Sequence, residues 1–303
     1  MTSDHFVALS FVADLSRIGL ADRFRAGDPT LVSSAQRFLD EARRVRAAAA
    51  STGIGVIAWN DPRYPASLLT LSDCPPAIWF RGRLETLDAP CIAIVGSRAA
   101  TPGALETGTT VAVLGCGPDV IYPPEHKALV EQIAASGLLV SEYPPGTSPL
   151  PFHFPQRNRL ISGLSRAVIV VEAAAHSGSL ITAGCALEQG REVMAVPGSI
   201  LSGRNRGSHA LIRDGATIVE DVDDILAGLG VAAGEAETGP TRGHATTSDD
   251  PVLRNMARGQ AYDLDTLSAV SGLPGPRLLP RLMSLEMRQL VRRVGGGRFM
   301  RSA

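Results

Sequence analysis

Eight residues near the middle of the chain, Phe152-His153-Phe154-Pro155-Gln156-Arg157-Asn158-Arg159, combine two arginines, an amide, an imidazole and two benzyl rings. Arginine grips phosphate and aromatic faces stack on unpaired bases, which is how proteins hold single-stranded nucleic acid. The alternative is that Phe152 and Phe154 plug a core while Arg157 and Arg159 pair with carboxylates. Asn158 between two arginines favours the first reading, because burying that trio costs free energy.

A second group is Ala175-His176-Ser177-Gly178-Ser179, with Thr182 shortly after. Small residues let successive N–H groups converge on an anion at a helix N-terminus. Ser177 or Ser179 could equally cap that helix. A third group, Gly96-Ser97-Arg98, ends an apolar run. Its backbone and Arg98 could clamp a phosphate, or could simply turn the chain. A fourth runs from Gly198 to His209 and holds Asn205 between Arg204 and Arg206. It could close over a phosphate backbone or serve as a connector. No catalytic set emerges. Glu172 has no evident partner, and His153, His176 and His209 lack metal-ligand spacing. Neither a GxSxG elbow nor a Walker A loop occurs, and no cofactor or metal is expected.

The elements that must position these groups begin at Cys91. Short apolar runs at 91–95, 111–114, 138–140, 167–171, 192–196 and 216–219 alternate with helical stretches, including Glu125–Ser136, Arg159–Ser165 and Leu180–Gln189. Strands apolar on both faces are buried between helix layers, so the expectation is a doubly wound parallel α/β sheet. Before it, residues 1–52 read as short helices and Gly55–Trp59 as a strand; Pro62, Pro65, Pro75 and Pro76 punctuate the stretch after that strand. Residues 231–250 lack large apolar residues after the first valine, hold Gly, Pro, Thr and Asp, and read as a flexible linker. The tail, 251–303, reads as three helices and a β-hairpin, a winged-helix pattern. It carries nine arginines against three carboxylates, a net +6, which suits duplex DNA, although a small protein-contact module fits too.

The whole chain of 303 residues has a formal net charge of −1 and is 45% hydrophobic, so a sizeable core is expected and any affinity for nucleic acid must be local. Lys127 is the only lysine. Cys74, Cys91, Cys116 and Cys185 form no CxxC pair. That fits a reducing compartment, and with no apolar run of spanning length a cytoplasmic location is expected.

Together these motifs resemble the DprA (Smf) family. The stretches that carry the resemblance are IAIVGSRAATP (92–102), VAVLGCGPDVIYPPEH (111–126), the long block from SEYPPG to MAVPG (141–198) and LIRDGATIV (211–219); the lead-in at 63–82 is similar too. The resemblance implies an extended Rossmann-like domain over 53–230, preceded by a SAM or helix-hairpin-helix type region. It also implies a homodimer that binds single-stranded DNA, protects it during natural transformation and loads the RecA recombinase, with no enzymatic activity. The expected DNA contacts are Gly96, Ser97, Arg98, His153, Phe154, Arg157, Asn158, Arg159, Ser177, Gly178, Ser179, Thr182 and Asn205. Two other functions compete: a nucleotide phosphoribohydrolase of the LOG type, and a nucleotide-sensing regulator whose tail reads duplex DNA. The first would need a carboxylate soon after the Ser-Gly-Ser turn, where Leu180–Leu187 has none.

The chain departs from the family pattern after the Gly-Ser-Arg turn. The family continues there with a helix, a strand and a further helix, whereas only 14 residues run from Ser97 to Thr110. A single parallel crossover alone takes about a dozen residues. An internal deletion near Gly103-Ala104, with loss of a central strand, is therefore expected.

Overall fold

The computed structural model describes residues 1–303 apart from 13–14, 16, 97–108, 201–202, 231–249, 258–259, 288–289, 295–297 and 302–303. The described residues fall into two bodies, 1–230 and 250–301. The linker expected at 231–250 lies, but for Asp250, outside them.

The first body opens with α1 (Ser3–Ser10), α2 (Leu20–Arg25), α3 (Pro29–Gln36) and α4 (Leu39–Ser51). The start of α3 is set by Asp28, whose carboxylate accepts from Thr30 N, and by Pro29 at the first helical position. That position needs no N–H. The helices deliver Phe6, Val7, Ala35, Ala42 and Ala49 onto Trp79, covering one face of a sheet.

This sheet has the order β1 (Ile54–Ala58), β2 (Ala77–Gly82), β5 (Leu138–Ser141), β4 (Val111–Val113). Only the β5–β4 pair is parallel. Its other face holds Ile57, Ile78, Leu138 and Val140 against Leu160 of α6 (His153–Gly163). A second sheet runs β3 (Ile92–Val95), β6 (Ala167–Val170), β7 (Glu192–Ala195), β8 (Thr217–Ile218), and every pair is parallel. One face packs on α7 (Gly178–Glu188) and α8 (Arg206–Arg213), the other on α9 (Val222–Gly228). Helix α6 joins the sheets: Ile161 packs against the cores of both, and Gln189 Nε2 donates to Arg159 O at 3.0 Å.

The fold is α/β, as expected, but two particulars of the sequence reading are corrected. The single parallel sheet is two four-stranded sheets, the first mostly antiparallel. Strand β2 was hidden behind Pro75 and Pro76, which precede it rather than interrupt it. Helix α6 starts at His153, six residues before the expected Arg159, because Pro155 sits in the first turn where a missing donor is tolerated. The FPxRNR block is therefore helix, not loop.

Among the described residues, β3 and β4 each pair on one side only. Strand β4 bonds to β5 through Thr110 O and Leu114 N. The alternation of a parallel ladder therefore turns the backbone groups of Val111 and Val113 away from β5. Val113 O instead accepts from Arg157 Nη1. On β3, Val95 O accepts from Val171 N, so Ile92 and Ile94 present their N–H and C=O outward. Their side chains are 38% and 68% exposed. Helix α5 (Lys127–Ser136) buries none of its residues, although it carries Leu129, Val130 and Ile133.

The second body comprises α10 (Pro251–Arg254), β9 (Ala261–Tyr262), α11 (Leu264–Ser271), α12 (Gly275–Met287), β10 (Val291–Val294) and β11 (Arg298–Arg301), with an antiparallel sheet of order β10-β11-β9. Its core is Val252, Leu253, Met256, Leu267, Leu278, Leu282, Leu285, Val291 and Phe299. Asp250 caps α10 and pairs with Arg281 at 2.5 Å. Among the described residues no helix is long and apolar enough to cross a membrane, and Cys74, Cys91, Cys116 and Cys185 are all free thiols.

Candidate nucleic-acid interface

The first turn of α6 lies against the loop that leaves β4. His153 Nδ1 lies 3.1 Å from Gly115 O. A Cβ at Gly115 would stand 3.1 Å from the Phe154 ring, so a side chain there would push the ring by a few tenths of an ångström. Phe154 stacks obliquely with Tyr122 at 5.5 Å between centroids, and the Arg157 guanidinium stands 5.9 Å above the Phe154 ring. That is near the outer reach of a cation–π contact. Tyr122 is 50% exposed and neighbouring Phe152 is 56% exposed. The loop carrying Tyr122 is held by Asp119, whose oxygens accept from Gly146 N at 2.8 and 3.0 Å, and by Gly117 N donating to Thr147 O. Lys127 is exposed at the start of α5 and has no carboxylate partner among the described residues.

The remaining signature residues face inward. His153 is buried, stacked on Tyr143 at 4.0 Å, and burial pushes the Tyr143 phenol well up. Asn158 is buried as well. Arg159 pairs through Nε with Asp73 at 2.6 Å and through Nη2 with Glu142 at 2.7 Å. Glu142 is 1% exposed and also takes Arg17. Arg159 is thus the hub of a buried ion network. Its Nε and Nη2 are engaged by carboxylates, whereas Nη1 is buried with no hydrogen-bond partner among the described residues.

The Ser-Gly-Ser turn forms the N-terminus of α7. Ser177 Oγ accepts from Ser179 N at 3.3 Å and lies 2.8 Å from Ser179 Oγ, so the capping role is realised. Gly178 is exposed with open space around it, whereas Ser179 and Thr182 are buried. Asn205 is buried, with Nδ2 donating to Ser199 O at 3.3 Å. Close by, α8 abuts the β6–α7 loop, and a side chain at Gly207 would meet Ala174 O at 2.7 Å. Gly96 is exposed at the end of β3 beside Glu172; Ser97 and Arg98 lie outside the described residues. The structure therefore brings together Phe154, Arg157 and a residue not singled out from sequence, Tyr122. It leaves Gly178 and Gly96 exposed and withdraws His153, Asn158, Arg159 and Asn205 into packing. Among the described residues no cluster of His, Cys, Asp or Glu could hold a metal.

A family model described as DNA recombination-mediator protein A matches residues 55–107 and 99–230. The chain belongs to this family. The DNA processing protein DprA of Streptococcus pneumoniae is 41% identical over 201 residues, covering 55% of this chain and 71% of that protein. The X-ray structure of DNA processing protein A from S. pneumoniae superposes with a TM-score of 0.63 at 31% identity, covering 75% of this chain and 98% of that one. The DNA processing protein A of Helicobacter pylori, whose structure addresses a single-stranded DNA binding mode, gives a TM-score of 0.51 at 26% identity, covering 57% of this chain and 95% of that one. The family match falls into two pieces that meet at 99–107. The S. pneumoniae match spans 201 positions against 55% of this chain, about 167 residues, so some 34 of those positions have no counterpart here.

Proposed function

We propose that this chain binds single-stranded DNA with little sequence preference and serves as a cytoplasmic recombination mediator, protecting incoming strands and passing them to RecA as a homodimer. The observation that carries this reading is the Tyr122–Phe154–Arg157 group beside exposed Phe152. It offers ring faces to bases and a guanidinium to phosphate without specifying an edge of any base. Family membership and the single-stranded DNA mode of the H. pylori relative support it. The chain acts by holding its ligand, not by converting it. The tail, with a net +6 and a three-stranded sheet on three helices, acts as a winged helix that contacts duplex DNA or a protein.

Fluorescence anisotropy with one labelled oligonucleotide, single-stranded and annealed, across a salt series tests the proposal. Preference for the single strand and a linear fall of log affinity with log salt are expected. Equal or tighter binding of the duplex would refute it, and release of free base from a nucleoside monophosphate would favour the hydrolase.

A further inference from the structure

Helix α8 carries positive charge that the Tyr122–Phe154 face does not use. Arg206 and Arg213 are exposed, and neither pairs with a carboxylate among the described residues. They stand seven residues apart on α8, two turns and about 10 Å along the axis, so they share one side of the helix. A cavity of about 440 Å³ lies against that side, with Arg206, His209 and Arg213 as its polar lining and Ala175, Leu180 and Ala210 as its apolar lining. Among the described residues that line it there is no carboxylate and no side-chain amide. Its walls are tied together. Gly207 N donates to Ala173 O at 2.8 Å and Ala173 N donates to Ser208 Oγ at 3.1 Å, which fixes the start of α8 against the β6–α7 loop. His209 Nε2 lies 3.0 Å from Gly198 O, which orients the imidazole.

The cavity begins at the same end of the first body as the Tyr122–Phe154 face. Helix α6 starts at that face and leads to the start of β6, α7 leads from β6 to β7, and α8 leads from β7 to β8. Strands β6, β7 and β8 are parallel, so all three helices start at the carboxyl ends of the strands, where α/β sheets bind their ligands. Helices α6 and α7 lie side by side, and Gly178 is exposed at the start of α7. We propose that the groove lined by Arg206, His209 and Arg213 is a second phosphate site, which takes the nucleotide chain after it leaves the Tyr122–Phe154 face by way of the start of α7. Arg206 and Arg213 hold two phosphates separated along the strand, and Ala175, Leu180 and Ala210 give the sugars a nonpolar floor. With no amide or carboxylate to read a base edge, the site is indifferent to sequence. The same chemistry holds the phosphates of a free nucleoside triphosphate. Continuation of a strand into the groove rests on the proposed single-stranded DNA function; affinity of the groove for nucleotide phosphates does not.

The test is anisotropy with labelled oligothymidylates of increasing length, from a trinucleotide upward, added to the full chain. The parent is compared with Arg206→Ala/Arg213→Ala and with Ala210→Glu, which sets a carboxylate between the two arginines. Melting of the double variant should match the parent, since both arginines are exposed. The shortest oligomers should bind parent and variants equally. Long ones should bind the double variant about tenfold more weakly at physiological salt, and the slope of log affinity against log salt should fall by about 1.4, the share of two phosphate contacts. Arg206→Lys/Arg213→Lys should keep most of the affinity. If the parent binds the strand and the double variant matches it in affinity and slope at every length, the groove is overturned and the proposed function stands. Equal losses at every length, the trinucleotide included, would put both arginines in the first site and overturn a second one. A parent that binds no oligonucleotide overturns the proposed function instead. Isothermal titration with deoxythymidine triphosphate then decides the groove: saturable binding that the double variant loses keeps it as a site for free nucleotide, and absence of binding overturns it.

Discussion

Arg159→Ala separates a structural arginine from a DNA contact. The guanidinium is 11% exposed and lies between Glu142, 1% exposed, and Asp73, 32% exposed. Removing it leaves Glu142 buried with Arg17 as its remaining cation. Breaking a buried ion pair costs about 3–5 kcal/mol. Arg17 offsets part of this, and the pair with half-open Asp73 adds only about 0–1 kcal/mol. A net loss of about 3 kcal/mol is expected, which lowers the Tm by roughly 6–12 °C for a body of this size. Differential scanning fluorimetry and urea titration measure it. Glu142→Gln in the Arg159→Ala background should recover part of the loss, since it removes the stranded charge. An Arg159→Ala protein that melts within about 2 °C of the parent yet loses single-stranded DNA would show that Arg159 contacts the strand.

Arg157→Ala should weaken single-stranded DNA binding by about 1.5–3 kcal/mol and flatten its salt dependence, while Arg254→Ala, in α10 of the tail, changes it little; equal effects in anisotropy would place the main site in the tail. Tyr122→Ala and Phe152→Ala should each cost about 1–3 kcal/mol of binding through lost stacking with unchanged melting, which paired anisotropy and thermal scans check. The Asp28 carboxyl is lowered to about 2 by hydrogen bonds from Thr30 and Arg23. A depressed carboxyl contributes stability above its unfolded value near 3.8, and that contribution fades as pH falls towards 2. Asp28→Asn should therefore flatten the acid limb of a Tm-against-pH curve in that window.

Much of this protein is determined by local sequence. The strands at 92–95, 138–141, 167–170 and 192–195 and the helices between them were legible because each strand is a short, largely apolar run set between helical stretches. Ser177 as a helix cap, Gly96 at a strand end and the three helices and hairpin of the tail are dictated by residue type and spacing alone. The shortfall after Arg98 was legible too, since chain length limits what a connection can contain.

What each signature side chain touches was decided by tertiary structure. The run Arg157-Asn158-Arg159 looks uniform as sequence, yet a helix turns successive residues by about 100°. That rotation sends Arg157 to the open edge of β4 and Arg159 into carboxylates from residues 73 and 142. Tyr122 carries no motif of its own; it becomes part of the face only because Asp119 and Gly117 tie its loop to the segment before α6. The division of the sheet is likewise a property of pairing. Every strand is encoded locally, but whether β3 and β4 share a neighbour depends on backbone groups brought together from distant parts of the chain.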